Sequence, residues 1–144
     1  MVEFAIVLPL LLGVLLWMVD FGKAMNYWID ETHLANEAAR FAAVNRSPVG
    51  NDATNLVGEI KAQANTIELR DGGGSIAPPG VNVEVCYPGG SDVGNPVRVR
   101  VTATYRWMNF VLGDLVDFAL PDTTLRGRAT MRIEVPGSYP TCPT

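Results

Sequence analysis

From Phe4 to Val19 no side chain carries a charge and nearly all are apolar. The run FAIVLPLLLGVLLWMV shows no polar stripe, so it predicts a helix that is apolar all round, near the short end of what spans a bilayer. The pattern changes at Asp20. Phe21, Ala24, Met25, Trp28, Ala35, Ala38, Ala39 and Ala42 then recur at helical spacing, while Asp20, Lys23, Asp30, Glu37 and Arg40 take the other positions. Nothing between the two patterns breaks a helix. They predict one rod from about residue 3 to about residue 44, roughly 60 Å long at 1.5 Å per residue. The stretch Asn45-Arg-Ser-Pro-Val-Gly should end it, with Pro48 and Gly50 as breakers.

Downstream, Leu56, Ile60, Ala64 and Ile67 line one face of a second predicted helix from Asp52 to about Leu69, with Asp52 as its cap. A glycine- and proline-rich loop follows from Asp71 to Gly80. Three segments then alternate with period two. Val81, Val83 and Val85 oppose Asn82, Glu84 and Cys86; Val97, Val99, Val101, Ala103 and Tyr105 oppose Arg98, Arg100, Thr102, Thr104 and Arg106. Leu125, Gly127, Ala129, Met131, Ile133 and Val135 oppose Arg126, Arg128, Thr130, Arg132 and Glu134. Such alternation predicts antiparallel strands with one buried and one wet face, the buried face covering the amphipathic half of the first helix. The long connection from Tyr87 to Pro96 makes the first two strands a hairpin, and Trp107 to Leu120 is expected as a short helix or turn on the sheet edge.

The fold class predicted is α+β: a long N-terminal helix carrying a small head with a second helix and a three- or four-stranded antiparallel sheet. Residues 1–22 form the membrane-type half of the helix; residues 23–144 form its amphipathic continuation and the head.

Composition sharpens this picture. The chain has 144 residues, and its net charge of -4 argues against general nucleic-acid binding despite the arginines on the wet face. No Lys or Arg precedes Lys23, whereas a secretory signal starts basic and ends at a small-residue cleavage site. An inserted helix normally has positive charge on its cytoplasmic side, so the pattern predicts a basic leader already removed. An anchored head facing outward lies in an oxidising compartment, where Cys86 and Cys142 are expected to pair. Two cysteines without a nearby histidine do not make a metal site. His33 lies mid-helix, and no nucleophile elbow, phosphate-binding loop or zinc-helix motif occurs; no catalytic residue, cofactor or metal is expected.

Three features of the apolar run bear on assembly. Glu3 places a carboxylate at its edge, suited either to headgroup hydration at the positive end of the helix dipole or to pairing with a cation such as a neighbour's terminal amine. Pro9 removes a donor inside the run, and Gly13 weakens the helix further. Together they describe either a kinked anchor or a helix that bends when it packs in a bundle.

Val2-Glu3-Phe4-Ala5-Ile6-Val7-Leu8-Pro9-Leu10-Leu11-Leu12, followed by Asp20-Phe21-Gly22, resembles the start of TadE-like pilins of the tight-adherence branch of type IV pili. Ala38-Ala39-Arg40 and the last strand, Leu125 to Glu134, extend the likeness. The resemblance implies a prepilin trimmed by a membrane peptidase and built by assembly machinery into a helical filament of identical or related subunits. It implies residence in the cytoplasmic membrane first and in an extracellular, adhesive pilus afterwards. Glu3, Phe4, Pro9 and Gly13 would be its assembly residues, Glu3 docking on a neighbour's amine. The family's glutamate usually stands fifth in the mature chain and here is third, so either two residues precede this chain or its processing differs. A minor or tip pilin and a single-pass membrane-anchored binding module are the alternatives.

Overall fold

A computed structural model describes residues 2–46, 55–107 and 122–142. The rod forms as one uninterrupted helix, α1 (Val2–Ala43), running through Pro9. Its 42 residues give about 63 Å at 1.5 Å each. It ends by backbone chemistry at Asn45, which sits at φ 51°, the left-handed region that asparagine tolerates. The Arg46 amide donates to the Phe41 carbonyl at 3.0 Å and the Asn45 amide to the Ala42 carbonyl at 3.2 Å. These paired bonds are the Schellman arrangement that satisfies terminal carbonyls. Pro48 and Gly50, the expected breakers, lie outside the described residues.

The second helix differs from expectation. It is split into α2 (Leu56–Ala62) and α3 (Ile67–Asp71). Thr66 causes the split: it is extended, and its hydroxyl accepts from the Leu69 amide at 3.1 Å, so it caps a new helix. The restart changes the phase, burying Leu69 beside Leu56 and Ile60 and leaving Ile67, expected inside, 70% exposed. Asp52, its expected cap, lies outside the described residues, as does the predicted insertion beyond Trp107.

Strands β1 (Asn82–Cys86), β2 (Pro96–Tyr105) and β3 (Thr123–Arg132) form an antiparallel sheet in the order β1-β2-β3. Val83 faces Val101, Val85 faces Val99, and Val99 faces Ala129, so the predicted apolar face is continuous across the strands. The loop after α3 is more than a linker: Ser75 and Ile76 are fully buried, and Ile76 bridges Tyr105. Val135, expected on the buried face, lies past the end of β3 and is exposed.

Cys86 and Cys142 are joined by a disulfide. The tail alongside it pairs with Tyr87, whose amide donates to the Pro140 carbonyl at 2.9 Å and whose carbonyl accepts from the Cys142 amide at 3.1 Å. The staple thus closes a tail that is already hydrogen-bonded to the sheet margin.

α1 packs on the valine face of the sheet, against β2 and β3; the opposite face carries exposed Asn82, Glu84, Arg98, Arg126 and Arg128, with the Cys86–Cys142 disulfide at its β1 margin. On α1 the head covers Asp20, Ala24, Tyr27, Glu31, Leu34, Ala35, Ala38 and Ala42, a stripe at three- and four-residue steps. The alanines permit close approach, and the closest crossing is at Gly127 of β3. A Cβ there would fall on the Glu31 carbonyl and 2.7 Å from the Thr32 amide nitrogen.

Gly127→Val should therefore cost about 3 kcal/mol or more, because backbone must move to admit the side chain. A Cβ on Gly22 of the same helix meets nothing within 4 Å, so Gly22→Ala should be neutral or stabilise by about 0.5–1 kcal/mol. Thermal unfolding of the full chain in detergent checks the contrast.

Candidate functional site

Each element of the candidate site follows from where the head stops covering α1. Below Asp20 the described residues of the head cover the helix only where Trp107 meets Trp17. Phe4, Ile6, Leu10 and Met18 are each about two-thirds exposed or more, and Leu11, Val14, Leu15, Trp17 and Val19 about half. Twelve large apolar side chains between Phe4 and Val19 are exposed in this way. At about 1.5–3 kcal/mol per buried side chain, their exposure to water would cost on the order of 20 kcal/mol. That exceeds the whole stability of a small domain. This segment, part of an 18-residue window of mean hydropathy 2.4, is long and apolar enough to cross a membrane.

Gly13 opens the surface of this segment. A Cβ on it would meet nothing within 4 Å, so packing inside the chain does not require glycine. It forms the floor of a shallow apolar recess of about 700 Å³ lined by Leu10, Val14, Trp17, Met18 and Phe21. Small residues at such a place let a second helix approach closely in a membrane-like setting. Of the predicted assembly residues, Phe4, Pro9 and Gly13 lie along the uncovered segment. Glu3 lies in the first turn of α1, but its side chain is outside the described residues.

The head begins abruptly at Asp20, which is 1% exposed. The Tyr105 hydroxyl, from the end of β2, donates to its carboxylate at 2.6 Å. Burial, with the hydrogen bond to Asp20 next, pushes the Tyr105 phenol above its usual range. Aromatic rings surround the joint: Tyr105 lies 5.0 Å edge-on to Trp107, and Trp107 stacks on Trp17 at 6.3 Å. Trp17 thus ends the uncovered segment while touching the head.

One turn up, Lys23 pairs with Glu68 of α3 at 3.1 Å and donates to the Ser75 hydroxyl at 3.2 Å. The Tyr27 hydroxyl donates to Glu68 at 2.7 Å. Partial burial pushes Glu68 up, but the Tyr27 bond and the bond and charge of Lys23 outweigh it and hold the carboxyl below its usual range. Burial, then the bond to Glu68, raises Tyr27. At the far end of the rod the Ala43 carbonyl accepts from the Glu134 amide at 2.8 Å. The head therefore grips α1 at both ends of their contact.

Three acidic positions on α1 were misjudged or missed by the periodicity argument. Asp20 and Asp30, expected away from the head, are buried, Asp30 accepting from the Asn65 side-chain amide. Glu31 is fully buried, and neither carboxylate oxygen has a hydrogen-bond partner. For Asp20 and Glu31 the signal was positional: residues 20, 24, 27, 31, 35, 38 and 42 form one stripe, which an apolar-only count leaves broken. His33 is exposed beside Trp28 and Asn36. Among the described residues no group of three His, Cys, Asp or Glu side chains could hold a metal ion.

Comparison with known families bears on the same segment. Residues 1–40 match the family model for TadE-like proteins. The first forty residues are thus similar to TadE-like proteins. The match spans the uncovered half of α1 and most of its gripped half; the sheet, including the last strand, lies beyond it. No curated protein and no solved structure matches the chain.

Burial pushes the Glu31 carboxyl up to about 8. A carboxyl raised in the folded state stabilises least when ionised. Its contribution is best below the unfolded value of 4.5 and worsens as pH rises until it levels off above about 8. Glu31→Gln should remove this slope and stabilise the head at pH 9 by about 3–5 kcal/mol. Unfolding curves of both proteins from pH 5 to 9 measure it; a variant less stable at pH 9 contradicts it.

Proposed function

We propose that this chain is a pilin: a subunit that resides in the cytoplasmic membrane through residues 4–19 and then polymerises through α1 into an extracellular type IV-like pilus of the Tad kind. Both the apolar helix and the TadE-like match fit a Tad pilus component. The observation that carries the proposal is the junction at Asp20. A plain anchor needs only an apolar span joined to a head by a linker. Here the same helix continues for about 35 Å through the head, at 1.5 Å per residue, and is held from Asp20 to Ala43. The uncovered half is thereby aimed by the head, as repeated lateral packing of identical subunits requires.

In this reading the bilayer covers residues 4–19 first, and neighbouring helices replace it. The Gly13 recess gives a neighbour room to approach, and Glu3 satisfies its charge on a neighbouring terminal amine. Attachment to surfaces is the use proposed for the filament, in keeping with the tight-adherence kinship of its first forty residues.

Two substitutions test it. Glu3→Ala and Gly13→Leu should each leave the head folded and disulfide-bonded, yet reduce the chain in filaments sheared from cells by about tenfold or more, the loss of one charged pair or one close helix contact. Electron microscopy and immunoblotting of the sheared fraction supply the readout. Labelling along the whole filament supports a structural pilin, and labelling only at ends makes the chain a minor or tip subunit. Cells that never place the chain in any filament, with the protein remaining monomeric in the membrane, overturn the proposal in favour of an anchored binding module.

A further inference from the structure

The sheet face turned away from α1 carries a concentration of positive charge. Arg98 and Arg100 on β2 and Arg126 and Arg128 on β3 all point to it, in a chain of net charge -4. The strand register sets Arg100 directly opposite Arg128. Like charges in that relation destabilise a sheet. Glu84 of β1 offsets one of them, lying 3.6 Å from Arg100. Among the described residues Arg98, Arg126 and Arg128 make no hydrogen bond or ion pair, and all three are exposed.

Protection of a free sheet edge accounts for arginines on β3, which is an edge strand. It does not account for Arg98 and Arg100, because β2 is the central strand. Strand geometry places these four stems on a grid of about 5 Å across strands and 7 Å along them. Between them stand Thr102 and Thr130, with Asn82 opposite Thr102. The face therefore alternates forked cations with small hydrogen-bonding groups.

That chemistry selects among polyanions. No aromatic ring lies on this face of β1, β2 or β3, so it has no platform for stacking unpaired bases. A three-stranded sheet backed by helices is too broad for the roughly 12 Å major groove that admits a two-stranded ribbon. A rigid duplex would meet the flat grid along one ridge of phosphates only. A linear acidic sugar polymer can lie across it, giving carboxylates to the guanidinium forks and hydroxyls to the threonines and asparagine.

We propose that the open sheet face, through Arg98, Arg100, Arg126 and Arg128, binds an acidic polysaccharide. The pilus reading enters in one respect: with α1 turned to a filament axis, this face is outermost. Binding itself does not require a filament, so the two ideas fail separately.

The test uses the full chain in detergent, with alginate as the polyuronate probe, dextran as its neutral counterpart and a short DNA duplex as the competing polyanion. Alginate should bind at low salt and be released at high salt, and dextran should not bind. Arg126→Gln with Arg128→Gln should weaken binding about tenfold, the worth of one or two charged hydrogen bonds. The same pair of changes removes a like-charge opposition and should not lower the melting temperature. Glu84→Gln should tighten binding. Three results overturn the proposal: no alginate binding by the wild-type chain, binding indifferent to the double variant, or tighter binding to the duplex than to alginate, which would make the face a nucleic-acid surface.

Discussion

The constraint on which the molecule turns is that the described part of the head leaves most of the first half of α1 uncovered. Sixteen consecutive residues from Phe4 to Val19 carry no charge, and the head begins only at Asp20. The hydrophobic effect is indifferent to what removes that surface from water, so a bilayer and a bundle of like helices are both acceptable covers. Transfer from one to the other costs little apolar burial, and the choice between them falls to packing and to a few polar groups. In the proposed assembly, Gly13 and Glu3 are the positions assigned to that choice.

An uncovered apolar rod is useful for assembly only if its direction is fixed, and the head fixes it. The Tyr105–Asp20 hydrogen bond and the Trp17–Trp107 stack hold the near end, and backbone bonds from Glu134 and Val135 to Ala43 hold the far end. Between them the alanines of α1 and Gly127 of β3 bring helix and sheet backbones together. Close contact of this kind tolerates little sliding, since almost any side chain on Gly127 would meet backbone. Burying Glu31 beside that contact is an unfavourable feature of the interface, and it makes the grip weaker as pH rises.

Much of this was legible in the residues. Period-two alternation identified all three strands and their buried faces, because valines alternating with arginines leave one assignment of faces. The rod was legible because nothing in it stops a helix before Asn45. The second helix is shorter than the Leu56–Ile67 spacing predicts because the Thr66 hydroxyl competes with helical continuation and caps a new helix. The covered stripe on α1 was blurred for a different reason. Asp20, Asp30 and Glu31 are polar by composition but buried by position, and only partners distant in sequence, Tyr105 and Asn65, reveal two of them. Phe21, Met25 and Trp28 err in the opposite sense: they share the helical spacing but remain exposed. Of the candidate assembly residues, the sequence located the segment; the structure added that it is bare and that Gly13 has no internal reason to be glycine.

The central claim is that residues 4–19 are the surface through which copies of this chain meet while the open sheet face is not. Site-directed cross-linking tests it most directly. Single cysteines placed at Val7, Leu11 or Val14, or at Asn82 on the open sheet face, would be oxidised in filaments sheared from cells and resolved without reductant. The account predicts ladders of covalent dimers from the helix positions and none from Asn82. Cross-links through Asn82 with none through the helix would contradict it.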